Sequence, residues 1–180
     1  MLPTGHIAAG YLLAKSILAI NQPSFDPNEQ ALLGLIGGFS GFAPDLDMFY
    51  AFIKERGFHQ TGLKFNHREF ITHTPIFWLV ISTVVALVGR DFFWRYIAVA
   101  IFVGSWSHLI LDSTFVGIRW LYPFSKKFYA LKNPGQAEPN LVKGFFNHWF
   151  NLVKMYYHTT PLTFLAEIIL VIVAVIIAFS

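Results

Sequence analysis

At 180 residues the chain fits a single domain, 1–180. With 55% hydrophobic residues, 13% charged residues and a mean hydropathy of +0.53, it reads as a membrane protein and not as a soluble globule. A net charge of +3 without a basic arm or an aromatic RNA-binding signature speaks against direct nucleic-acid recognition. The lack of cysteine excludes disulfides, thiolate catalysis and Cys-ligated zinc, leaving His, Asp and Glu as the strong ligands.

The N-terminus has no basic stretch ahead of its apolar run and carries His6 inside it, which favours a retained first helix over a cleaved signal. Thr4 is the expected N-cap of a helix over 4–20, with His6 in its first turn. Asp26-Pro27-Asn28-Glu29 has the form of a capping box with proline at the first helical position, and it opens a second helix over 27–43. Gly34, Gly38 and Gly41 on that helix suit close packing in a membrane. Pro44 interrupts the pattern and delivers Asp45 and Asp47 at the helix end.

Residues 53–74 form a basic loop. Its end, Asn66-His67-Arg68-Glu69-Phe70-Ile71-Thr72-His73-Thr74-Pro75, sets two imidazoles, a guanidinium and a carboxylate between apolar runs. His67 and His73 lie roughly 240° apart on a regular helix, so a loop is needed to aim both inward. Thr74-Pro75 reads as N-cap and first residue of a third apolar helix over 75–89, short for a span. The fourth run, 96–115, carries His108 and Asp112 at i and i+4, on one helix face at a spacing suited to one metal centre. A hydrogen-bonded His–Asp pair locking two helices together is the alternative.

Residues 117–160 contain an Asn133-Pro134-Gly135 turn and an amphipathic stretch over 141–157, expected to lie in the interface. His59, His148 and His158 read as loop or interfacial residues. The last run, 161–179, is nearly pure aliphatic and long enough to span, and Glu167 within it has no role readable from the sequence. The expected fold is an all-α membrane bundle of five apolar helices plus one interfacial helix.

Five crossings put the N-terminus, the 53–74 loop and the 117–160 segment on one face with ten Lys/Arg, against Arg90 and Arg95 on the other, so the first face is expected to be cytoplasmic. His6, Asp45, Asp47, His67, His73, His108 and Asp112 then all fall at one membrane level. Four imidazoles and three carboxylates suit one or two ions of zinc, manganese or iron, zinc foremost, with Arg68 to clamp an anionic oxygen and Asp47 or Glu69 to take a proton from water. No Gly-x-Ser-x-Gly elbow or Gly-rich phosphate loop is present.

His6, Pro44-Asp45-Leu46-Asp47, His67-Arg68 with Thr72-His73, and His108 with Asp112 together resemble the YdjM-type family of inner-membrane proteins. That family is described as membrane-bound metal-dependent hydrolases. Where it usually has Ser after the second motif, this chain has Thr74, which keeps the hydroxyl. The resemblance implies a hydrolase label without a substrate, and a looser similarity to helical zinc phospholipase and nuclease sites tilts the expectation toward phosphoester or lipid-like substrates at the cytoplasmic leaflet. Partners are then membrane lipid and a small-molecule or lipid substrate. A metal-ion transporter or sensor, or a non-catalytic membrane protein with structural His–Asp pairs, are the competing readings.

Overall fold

In a computed structural model, the described residues are 1–55, 67–114, 117–131, 150, 153–154, 156–158 and 160–180, without the side chains of 51, 52, 54, 55 and 67. They form an all-helical fold. The helices are α1 (Pro3–Asn21), α2 (Pro27–Phe42), α3 (Leu46–Glu55), α4 (Pro75–Val88), α5 (Phe92–Ser113) and α6 (Pro161–Phe179). Short 3-10 turns occupy Ala43–Asp45, His67–Glu69 and Ile71–His73. Among the described residues, α5 and α6 are long and apolar enough to cross a membrane, and α4 is a shorter apolar helix. The 14 residues of α4 rise roughly 21 Å at about 1.5 Å each, less than the ~30 Å hydrocarbon core.

Local chemistry explains most of the helix ends. Asp26 Oδ1 accepts from Asn28 N at 2.7 Å and Glu29 N at 2.9 Å, while Glu29 Oε2 accepts from Asp26 N at 3.0 Å, a complete capping box. Thr74 is the N-cap of α4 with Pro75 at the first helical position, but its hydroxyl donates backward to Ile71 O at 2.6 Å. Thr4 is not the cap of α1. The helix starts at Pro3, with Leu2 as N-cap and no capping side chain of its own. Asp91, accepting from Trp94 N at 3.1 Å, opens α5 a turn before the expected start. The helix α3 was not anticipated. The interfacial helix expected over 141–157 lies largely outside the described residues, as do His59, His148 and the Asn133-Pro134-Gly135 turn; residues 150, 153–154 and 156–158 are helical, and His158 is exposed.

Helices α1, α2 and α5 pack on one another, α4 packs on α5, and α6 packs on α1. Glycine sets how close they come. A Cβ on Gly10 or on Gly104 would strike the Gly37 carbonyl, and one on Gly41 would strike the His6 carbonyl, so backbones touch where side chains would separate them. Two apolar clusters flank this contact. Ala14, Leu18, Leu33 and Ala100 pack with Phe25, Phe93 and Tyr96 near one end; Ala43, Trp78, Leu109 and Ile118 pack with Phe77, Trp106 and Trp120 near the other. The polar cluster adjoins the second.

Candidate metal centre

Five of the residues singled out in the sequence meet at the point where α1, α2 and α5 are held closest. His6 comes from the first turn of α1, Asp45 from the turn after α2, His73 from the turn before α4, and His108 and Asp112 from successive turns of α5. Two groups of potential ligands result, His6–His108–Asp112 and Asp45–His73–His108, each with its donor atoms within 4.8 Å of one another. His108 belongs to both. His6, His73 and His108 are fully or almost fully buried, and Asp45 is the most accessible of the five, its side chain 13% exposed.

The fold aims each ring. His108 Nδ1 donates to the Gly41 carbonyl at 2.8 Å. That bond leaves Nε2 as the nitrogen with the lone pair. His108 Nε2 is buried, has no hydrogen-bond partner, and faces Asp45 Oδ1 at 3.5 Å and Asp112 Oδ2 at 3.9 Å. His6 stacks on the His108 ring at 3.9 Å between centroids, with Nε2 3.4 Å from Asp112 Oδ1. His73 Nδ1 donates to Asp47 Oδ2 at 2.8 Å and its Nε2 lies 3.4 Å from Asp45 Oδ1. The turn carrying His73 is fixed by Trp78 Nε1, which donates to Thr72 O at 2.6 Å, and by Thr72 Oγ1, which donates to Asp47 Oδ2 at 2.5 Å. Burial alone would lower the pKa of His73; the adjacent Asp45 and Asp47 carboxylates outweigh that and push it up to about 9.

Three expected roles look different in the structure. Asp47 is in neither ligand group; its Oδ2 sits behind His73, where it orients the ring. Arg68 directs its Nε to Asp112 Oδ2 at 2.9 Å, so it holds a member of the cluster. Glu69 is more than half exposed and pairs with Arg119 at 3.1 Å, because the 3-10 turn that sends Arg68 inward sends its neighbour outward. The side chain of His67 lies outside the described residues. The sequence reading gave Gly41 a part in close helix packing but not the one its carbonyl plays in selecting the His108 tautomer.

The donor set fits a cation. A tetrahedral zinc site with bonds of about 2.0–2.1 Å has ligand atoms roughly 3.3–3.4 Å apart; the His6–Asp112, His73–Asp45 and His108–Asp45 separations of 3.4, 3.4 and 3.5 Å come close to that, while His108 Nε2 and Asp112 Oδ2 stand wider at 3.9 Å, and all four are too long for good hydrogen bonds. A family model described as YdjM inner membrane protein matches residues 1–180. The chain belongs to that family. No curated protein and no solved structure matches it. In this YdjM-family chain a surface depression of about 420 Å3, lined by Lys15, Leu18, Ala19, Gln22, Pro23 and Gln30, lies at the far end of α1 from His6 and is separate from the cluster.

Proposed function

We propose that this chain is a multi-pass inner-membrane metal-dependent hydrolase. On this reading it holds one divalent cation, zinc first with manganese or iron next, on His6, Asp45, His73, His108 and Asp112, and it acts on a phosphoester or lipid-like substrate at the cytoplasmic leaflet. The observation that carries the proposal is the environment of His108 Nε2, an acceptor buried against two carboxylate oxygens with its other nitrogen already committed to Gly41. An unpartnered buried acceptor costs about 1–3 kcal/mol, and each ionised carboxylate taken from water costs several more; a divalent ion offsets all of these at once. Since an imidazole nitrogen has a single lone pair and His108 serves both ligand groups, one ion fits better than two.

A bound zinc ion supplies Lewis acidity for activating water toward a phosphoryl or acyl centre. The chain's own residues set its conditions. Asp47 and the Gly41 carbonyl hold His73 and His108 by their outer nitrogens, and Arg68 holds Asp112. Asp45, the most exposed ligand, marks the side from which water and substrate reach the ion. The excess of Lys and Arg in the sequence segments 53–74 and 117–160 supports a cytoplasmic site, and the bare aliphatic face of α6, with Leu165, Ile169, Ile172 and Ile176 exposed, supports a helix in lipid.

The test is turnover. Detergent-purified protein assayed on a panel of phosphomonoesters, phosphodiesters and phospholipids should act when zinc-loaded and lose at least about 100-fold after chelation or in Asp112→Asn. Equal turnover by the chelated protein on every active substrate contradicts the proposal. Bound ion with no turnover, together with ion uptake into proteoliposomes, replaces it with a transporter.

A further inference from the structure

Glu167 is the one acid of α6, sits among aliphatic residues and is 3% exposed. Its Oε1 accepts from Leu2 N at 3.0 Å. Leu2 is the N-cap of α1, and the third helical position, where a capping box within one chain segment would place Glu or Gln, is Gly5. A Cβ on Gly5 would collide with the Glu167 carboxylate itself. Glu167 therefore fills, from another helix, the place of the missing capping side chain on α1. Its negative charge also lies at the positive end of that helix.

The next residue after Gly5 is His6. The other two histidines of the cluster each have a partner for Nδ1, Asp47 for His73 and the Gly41 carbonyl for His108, both at 2.8 Å. His6 Nδ1 is buried without one, and so is Glu167 Oε2. A histidine that offers Nε2 to an ion carries its proton on Nδ1 and needs an acceptor there. We infer that Glu167 is the positioning residue of His6: it caps α1 through Oε1 and accepts the His6 Nδ1–H through Oε2, completing the third carboxylate- or carbonyl-backed imidazole of the site. The Tyr156 hydroxyl stands beside the same carboxylate, and an oxygen with two lone pairs accommodates both donors. This inference rests on the metal reading above, and it ties the C-terminal helix to a site whose ligands all lie in the first 112 residues.

Glu167→Gln separates capping from positioning. Its amide oxygen still accepts from Leu2 N, but its NH2 then faces the Nδ1–H of His6, donor against donor. Zinc affinity of the full chain in detergent, measured by chelator competition, should fall roughly 10–100-fold in Glu167→Gln as well as in Glu167→Ala, and the absorption bands of the cobalt-loaded protein should shift in both. Wild-type affinity and an unchanged cobalt spectrum in Glu167→Gln overturn the inference while leaving the metal site standing. A wild type that binds neither zinc nor cobalt overturns the metal reading and this inference with it. Should Glu167→Gln not fold, the wild type decides by 15N-histidine NMR of the zinc-loaded chain. A solvent-protected proton on His6 Nδ1 is the expected result, and a rapidly exchanging one overturns it.

Discussion

Each histidine of the cluster is defined less by its ring than by what stands behind it. With two carboxylates around it, ion-free His73 holds a proton at each nitrogen up to about pH 9. An ion taking Nε2 must displace that proton, so apparent metal affinity should rise with pH by up to about tenfold per unit and level off near pH 9. Asp47→Asn removes one of the charges that raise the His73 pKa, so its plateau should begin at lower pH; titrations of zinc binding across pH 6 to 10 check both. If the two proteins show the same midpoint, Asp47 does not set the state of His73. The sequence separated these roles poorly. Asp45 and Asp47 are two residues apart, and only the 3-10 turn around Pro44 sends one to the shared His108 and the other behind His73. Arg68 and Glu69 are likewise adjacent in sequence and opposite in direction.

At the scale of elements, the legible features were those that chemistry encodes locally. The Asp26 box, Thr74-Pro75 and the i, i+4 pair on α5 need no tertiary information. What escaped the reading were contacts made across helices. The capping of α1 by Glu167 replaces a local signal with a residue 165 positions away, and α3 follows directly on the turn around Pro44, which reads in the sequence only as the end of α2. The tight α1–α2–α5 contact gives a packing prediction. Gly41→Ala drives a methyl into the His6 carbonyl and displaces the acceptor of His108. It should destabilise the protein by about 1–3 kcal/mol or more, as overpacking does, and lower metal content in parallel. Leu87→Ala, on the exposed face of α4, should change neither. Thermal melts in detergent with metal analysis check the pair; a Gly41→Ala protein as stable and as metal-rich as wild type would show that the helices do not need this approach.

For the whole molecule, the arrangement makes sense of greasy helices that nonetheless carry buried acids and imidazoles. The bundle buries the polar groups, which raises the strength of each electrostatic contact, and on the proposed topology the basic loops set which leaflet the site serves. Because the chain has no cysteine, single cysteines introduced at Gln22 and Lys127 can be labelled in intact cells without background. The proposed topology puts the first outside and the second in the cytoplasm, so a membrane-impermeant maleimide should react at Gln22 alone; labelling of Lys127→Cys instead would invert it. The most direct measurement of the central claim is elemental analysis of the detergent-purified chain, wild type beside His108→Ala. The account predicts one equivalent of a divalent metal in the wild type and none in the variant; a wild type without metal, or a variant that retains it, contradicts it.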